Sequence, residues 1–554
     1  MSKNSDFISK EGITLYLNDE FKYIDIYTYK KVTSTNDIAK KLALLAVLVM
    51  TTGNAVWAAQ SDSAGKEADP AFSVPVVQNP INSGTIKDLQ IADDGQRWLV
   101  TDKALEQYGV YANPDKEGQY WFRLPQNATA EKVLGQDRNV SLTLPGAKSK
   151  EGRNISIGRI RRPLGISYVL DGETKSLLPP AKAKRTAAEL KQSVPSAPEI
   201  TKKGNLGMVL FWDPVMDEKS PIPELKTKQP VLSPCAFRLS SKGIVLRNPD
   251  LDTLITLWQE KGYAIWPLVD NNFSPKLTHE VLSQPNLRKQ LIKELIGYSI
   301  LYDFAGYNID FENVNYSDRD LLTQFVREFS DVAHAYGLKV SMDVTAPSDS
   351  PNWSMVYNRQ ALGKSLDYVM LMAYDQVGRT SPVAGPTATL PWVETSIKNT
   401  LQSVPAEKVI LGMPLYMRVW YEAANGKDLP KDLADWPAAV TETAVEAGTG
   451  TKQAAAAKAA AKKPKLFVRT LTLADSQAVR NKYKSSVVWD NALGLYKLDV
   501  QLPEGRLKIW FEDDKSLKEK VKLIPQYHLG GASFWRKGFE PANFWQGFAK
   551  HELT

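Results

Sequence analysis

Thiol and imidazole groups are nearly missing from this chain: 554 residues hold one cysteine and four histidines. Cys235 has no second thiol to meet, so no intrachain disulfide can form. His279, His334, His528 and His551 are too scattered to give a recognisable metal-ligand spacing. No metal and no cofactor are therefore expected. Long apolar runs are also scarce. Leu42 to Met50 is too short for a comfortable membrane span, which needs about 20 residues. An extreme charge is absent too, the net balance being +7. That surplus would suit acidic polymers such as cell-wall glycans or nucleic acid, but solubility alone is the better reading of it. No arginine-rich helix or nucleic-acid motif supports a nucleic-acid partner. No glycine-rich phosphate loop follows the first strand beyond Gly204, which argues against nucleotide binding.

What is present is the composition of a globular protein, 43% hydrophobic and 24% charged, in a chain too long for one ordinary domain. Residues 1–58 read as an export signal. Lys40 and Lys41 precede the apolar run, and the small residues of Asn54 to Ala58 suit cleavage before Ala59 or Gln60. The stretch ahead of Lys41 is long for such a signal, which an upstream start codon would explain, and an uncleaved anchor is the alternative. The expected location is exported, in the cell envelope or outside the cell.

Residues 59–84 and 179–203 read as linkers, rich in proline and polar or small residues. Between them, residues 85–178 hold short runs bounded by turn residues: Arg97 to Thr101, Tyr120 to Leu124, Asn139 to Leu144, Asn154 to Gly158 and Gly165 to Leu170. That spacing predicts a small, mostly β domain. From residue 204 to 554 apolar strands alternate with helical patterns. Strands are expected at Gly207 to Trp212, Gly262 to Val269, Phe304 to Val314, Leu338 to Val344, Tyr368 to Tyr374, Val409 to Met413 and Gly531 to Trp535. Asn286 is placed to cap one helix. Ser317 and Asp320 have capping-box spacing for the next, which should end at Gly337. The fold class is α/β, and a (β/α)8 TIM barrel fits this alternation better than an open sheet. Residues 447–465 form a low-complexity insertion, and Val487 to Trp510 looks like an inserted hairpin beside the cleft.

The chemistry gathers on one expected strand. Asn308, Asp310 and Glu312 recur every second residue, with Ile309, Phe311 and Val314 among them. Strand side chains alternate faces, so the polar groups share one face and the apolar ones the other. A polar row on a buried strand is costly unless it faces a solvated site. Barrel sites lie at the C-terminal strand ends, and Glu312 is nearest that end. Two carboxylates one pleat apart do not both ionise easily, so one should hold a proton near neutral pH. A protonated Glu312 would be a general acid. Hydrolysis of a glycosidic bond usually takes a second carboxylate about 5 Å or more away, and Asp310 is too close for that part. The structural alternative is a buried acid pair satisfied by an arginine or by backbone donors.

Gly306-Tyr-Asn-Ile-Asp-Phe-Glu312 resembles the signature of glycoside hydrolase family 18, Asp-Gly-x-Asp-x-Asp-x-Glu on the fourth barrel strand. Ala305 stands where the first Asp is usual and Asn308 replaces the second. Met372-Ala-Tyr-Asp375 is similar to the family's sixth-strand Met-x-Tyr-Asp. Leu411-Gly-Met-Pro-Leu-Tyr-Met-Arg418 is similar to its seventh-strand Gly-x-Pro-x-Tyr-x-Arg, and Trp535 corresponds to the aromatic floor at the end of strand eight. Trp266 to Asn271 and Trp510 to Asp513 resemble the branch that contains bacterial cell-wall and spore-cortex hydrolases. The likeness runs from about Gly204 to Trp545.

The resemblance implies an acetamido-assisted, retaining hydrolysis of β-1,4 bonds after N-acetylglucosamine. Glu312 would be the acid, while Asp310 and Tyr374 would position the acetamido group. Trp535, Asn308, Asp375, Tyr416 and Arg418 would bind or tune the sugar. The implied partner is an N-acetylglucosamine-containing polysaccharide, peptidoglycan before chitin-type oligomers, with no nucleic acid and no protein partner. A non-catalytic glycan-binding barrel is the rival, opposed by the presence of Glu312. In another reading, the β domain is the functional part of an envelope component.

Overall fold

The structure, a computed structural model, describes residues 89–91, 98–101, 111–113, 118–143, 146–149, 152–156, 207–217, most of 222–248, and all of 251–424 and 465–545. The expected export signal, both linkers, the 447–464 stretch and the Gly165 to Leu170 run lie outside the described residues.

The central element is a ring of parallel strands: β1 (Met208–Asp213), β2 (Gln229–Pro234, continued by Phe237–Ser240), β3 (Ala264–Ile265, continued by Leu268–Asp270), β4 (Gly306–Asp310), β5 (Lys339–Thr345), β6 (Tyr368–Met372), β7 (Val409–Pro414) and β8 (Gly531–Trp535). Each pairs with the next in sequence, and β8 pairs with β1, which closes the ring. An antiparallel arm, Gly243–Leu246, folds back on the second half of β2. Closure leaves no sheet edge between β1 and β8, as the α/β barrel expectation requires.

Alternation along each strand sorts the apolar side chains into two layers. Met208, Leu210, Trp212, Val231, Trp266, Leu268, Met370 and Ile410 fill the lumen. Val209, Phe211, Leu232, Val269, Tyr307, Ile309 and Val340 face the surrounding helices. On β4 this sends Tyr307 outward, where its hydroxyl donates to Leu295 O at 2.6 Å, and leaves Asn308 and Asp310 facing inward.

Helix α1 (Pro285–Tyr302) and helix α2 (Arg319–Ala335) flank β4 in sequence. Asn286 does not cap α1. The helix starts at Pro285, whose missing N–H costs nothing in a first turn, and Gln284 precedes it without a side-chain cap bond. The Ser317–Asp320 capping box does not form either. Tyr316–Asp318 make a 3₁₀ turn that runs directly into α2, and the Asp318 carboxylate meets His279 Nδ1 at 2.8 Å. Gly337, at φ 78°, ends the helical stretch in the left-handed region.

Two further features surround the barrel. The Val487 to Trp510 region is more than a hairpin. It supplies three strands (Val487–Asp490, Leu495–Leu502, Gly505–Phe511) of a five-stranded antiparallel sheet completed by Tyr416–Ala423 and Lys465–Thr472. N-terminal to the barrel, Tyr111–Ala112, Gln119–Arg123 and Asn139–Thr143 form a small sheet with helix Ala128–Leu134, and Leu89–Ile91, Trp98–Thr101, Gly146–Ser149 and Gly152–Ser156 form another. The first of these sheets is continuous with the barrel's outer layer: Tyr120, Phe122, Val140 and Leu142 belong to the same apolar cluster as α1 and α2. Polar bonds join them as well. Tyr298 Oη accepts from Thr143 N at 3.0 Å, and Asn127 Nδ2 donates to Ala335 O at 2.7 Å.

Candidate active site

The site forms where β3 to β8 end. Asp310, 8% exposed, is the last residue of β4, and Glu312 stands half-buried just beyond it. Burial and then the charge of Asp270, its register partner on β3, push Asp310 up to about 7. Burial, followed by the charges of Asp310 and Asp375, holds Glu312 well above the usual carboxylate range. The pair therefore keeps a proton near neutral pH, the state from which a carboxyl group can act as a general acid. Asp310 Oδ1 is buried and has no hydrogen-bond partner among the described residues.

Asn308 lies beneath this pair and is fully buried. Expected as a sugar contact, it instead donates through Nδ2 to Asp343 Oδ2 at 2.7 Å and accepts from Ser341 Oγ at 2.7 Å. Two pleats of polar residues on β4 and β5 thus interlock under the floor, because Asn308 is register-paired with Ser341. Burial and then the charge of Asp310 raise Asp343 well above its ordinary value, against the opposing pull of the Asn308 amide.

Tyr374 and Asp375 follow β6. Burial keeps the Tyr374 phenol strongly protonated, with the negative charge of Asp343 adding to the effect. Its ring meets Trp212 edge-on at 6.4 Å and Tyr416 at 6.3 Å. Trp535, at the end of β8, lies 6.0 Å from Trp212, so the fully buried Trp212 forms a base shared by Tyr374 and Trp535. Asp375 Oδ1 accepts from Tyr416 Oη at 2.6 Å and from Arg418 Nη2 at 2.7 Å. Both donors are buried, whereas the Asp375 side chain is 44% exposed. Tyr416 and Arg418 accordingly hold Asp375, and Asp375 is the member of this trio that reaches solvent.

Asn271 and Asp343 had no role assigned from sequence. Asn271, after β3, is 1% exposed and bonds both backbone groups of Glu312. Tyr357 Oη donates to Phe311 O at 3.0 Å on the same loop. Asn313 Nδ2 donates to Phe273 O at 3.0 Å, tying the β4 and β3 loops a second time. Asn272, Phe273, Asn313 and Asp375 all have φ between 50° and 58°, so left-handed backbone is concentrated at these strand ends. Each such residue costs on the order of 1–3 kcal/mol and persists where its surroundings over-determine it. A sequence signal for Asp343 did exist: Ser341 and Asp343 repeat the every-second-residue polar pattern of β4 on an otherwise apolar strand.

Known proteins resemble this chain over its barrel. Residues 271–539 match the model of the family described as Glycosyl hydrolases family 18. YdhD of Bacillus subtilis (strain 168), a protein named for a sporulation-specific glycosylase role, is 26% identical over 53% of this chain and 62% of its own length. The cortical fragment-lytic enzyme of the same organism is 23% identical over 56% of this chain and 65% of its own length. The chain therefore spans less than two thirds of either relative. A solved C-terminal domain of a chitinase-like protein from Desulfitobacterium hafniense DCB-2 superposes with a TM-score of 0.51 at 21% identity, covering 63% of this chain and 100% of that domain, a likeness of fold.

Proposed function

We propose that this chain, whose residues 271–539 match the model of glycosyl hydrolases family 18, hydrolyses β-1,4 bonds after N-acetylglucosamine, with peptidoglycan as the polymer. The observation that carries the reading is the Asp310–Glu312 carboxyl pair at the end of β4, in which burial and then the charge of Asp310 favour the protonated form of Glu312.

Glu312 gives its proton to the glycosidic oxygen as the bond from that oxygen to the anomeric carbon breaks. The acetamido oxygen of the same sugar attacks that carbon and forms a cyclic oxazolinium ion. Asp310 accepts from the amide N–H and balances its positive charge, and the neutral Tyr374 hydroxyl donates to the acetamido oxygen. The Glu312 carboxylate then removes a proton from water. That water opens the ring at the anomeric carbon, restoring the acetamide and the acid and retaining the configuration. Trp535 offers its indole face beneath the sugar. The relative named as a cortical fragment-lytic enzyme supports the choice of peptidoglycan, and the signal-like N-terminus supports export to the envelope.

The test is release of reducing ends from purified peptidoglycan and from chitin oligomers by the wild type and by Glu312→Gln. Release by the wild type, with a loss of at least about 100-fold in the variant, is expected for removal of a general acid. Absence of release from both substrates overturns the hydrolase reading, and release from chitin alone overturns the polymer. Persistent cleavage of a substrate lacking the acetamido group overturns the assisted mechanism.

A further inference from the structure

A second charged constellation stands two strands away from Asp310. Arg238, on the continuation of β2, is register-paired with Asp270 on β3, and Asp270 with Asp310 on β4. Register partners on neighbouring parallel strands point to the same side, so Arg238 and Asp270 share the lumen face with Asp310. Two strand spacings amount to roughly 10 Å. Arg238 Nε donates to Asp270 Oδ1 at 2.8 Å. Arg247, where the antiparallel arm returns to the barrel rim, places Nη1 3.8 Å from Asp270 Oδ2 and donates from the same atom to Cys235 O at 3.3 Å. Two guanidinium groups thus confront one carboxylate.

Exposure decides which charge the cleft presents. Asp270 is 8% exposed at its side chain, while Arg238 and Arg247 are 26% and 24% exposed. The carboxylate is sunk and the cations face outward, leaving one positive charge in excess over Asp270. Asp213, at the end of β1, has its own cation in the buried Lys537 at 3.5 Å. A planar guanidinium is suited to a carboxylate, which it can bind through two parallel N–H bonds.

We propose that Arg238 and Arg247 recognise a carboxylate-bearing substituent of the glycan and so select an acidic polymer over neutral chitin. This rests on the hydrolase reading above. Chitin offers no ionised group along its repeat. A peptidoglycan strand carries a lactyl ether on alternate sugars, with its carboxyl either free or joined to a peptide that bears carboxylates of its own. Either source supplies the same chemistry to the pair. Arg238 also neutralises Asp270, and through it affects Asp310, so Arg247 is the cleaner probe.

The experiment compares kcat/KM of the full chain, as wild type, Arg247→Gln and Arg247→Lys, on three substrates: peptide-free acidic glycan strands, peptide-bearing strands and chitohexaose. Thermal melting checks that each variant is folded. A charge-assisted bond contributes enough for the acidic-to-neutral ratio of kcat/KM to fall roughly tenfold or more in Arg247→Gln, mainly through KM, with part of it regained in Arg247→Lys. A loss confined to peptide-free strands assigns the contact to the lactyl carboxylate, and a loss confined to peptide-bearing strands assigns it to the stem. Equal losses on all three substrates, or none, overturn the proposal. If the wild type cleaves nothing, the hydrolase reading falls, and calorimetric binding of peptide-free strands against chitohexaose takes over. A preference for the acidic strand that Arg247→Gln abolishes then upholds the arginine pair, and equal binding overturns it.

Discussion

Asn271 grips Glu312 by both sides of its backbone: Nδ2 donates to Glu312 O at 2.8 Å and Oδ1 accepts from Glu312 N at 3.1 Å. A third bond, Nδ2 to Thr278 Oγ1 at 2.8 Å, fixes the amide itself. The carboxyl at the end of β4 is thus positioned by a residue from the neighbouring strand.

Asn271→Ala removes the clamp without touching any group that reacts. A displacement of the acid by even an ångström is costly when its proton must reach one oxygen, so kcat should fall about 10–100-fold. KM should stay within a few-fold, because the clamp makes no sugar contact. A split in the opposite sense, with KM rising and kcat preserved, would make Asn271 a binding residue instead.

Asp310 makes stability depend on pH in an unusual direction. Its carboxyl is pushed up to about 7 from 3.8, chiefly by burial and then by Asp270. Between those values the folded state binds more protons than the unfolded one, so stability falls as pH rises from about 4 to about 7. Asp310→Asn removes this term. Its melting temperature should gain on the wild type as pH increases through that window, with an upper limit of about 4 kcal/mol. Parallel melting profiles for the two proteins across this pH range would contradict the assignment.

Asp375 is the second charge felt by Glu312, after Asp310. In Asp375→Asn that repulsion is gone and Glu312 loses its proton more readily, so the alkaline limb of the rate profile should move to lower pH. The carboxylate facing the buried Arg418 is lost as well, at a cost of about 2 kcal/mol after allowance for the exposure of Asp375. The pH profile separates the two effects, since a purely structural loss lowers the curve without shifting it.

The N-terminal sheet should contribute to the barrel's stability. Leu142 is 1% exposed, and a Cβ added at Gly297 of α1 would sit 2.8 Å from its Cδ1. Leu142→Ala should cost about 2–5 kcal/mol, and Gly297→Val should also destabilise by overpacking. The readout is the temperature at which barrel activity is lost. If both variants keep the wild-type temperature, the sheet is merely tethered.

Much of this molecule is written in periodicity. Apolar runs in the sequence coincide with seven of the eight barrel strands, whereas β2, broken by Pro230 and Pro234 and continued only at Phe237–Ser240, was not among the expected strands. The row Asn308, Asp310, Glu312 was legible because the two faces of a buried strand demand different partners, and Tyr374 and Trp535 were legible at their strand ends. The Ser317–Asp320 capping box misled, because a tertiary contact engages Asp318 and lets a 3₁₀ turn lead into α2. Val487 to Trp510 reads as a hairpin rather than as part of a five-stranded sheet because the other strands, Tyr416–Ala423 and Lys465–Thr472, are distant in sequence.

The division at the site is sharper. The sequence by itself determined which residue types line β4 and which face each occupies, since side-chain direction on a strand follows from local backbone geometry. Tertiary structure decided what those residues do. Asn308 became an internal brace because Asp343 and Ser341 are its neighbours across the sheet. Asp310 acquired its proton affinity from burial and from Asp270, and Glu312 its position from Asn271. Such properties depend on distances between strands that only closure of the barrel establishes, and no local pattern encodes them.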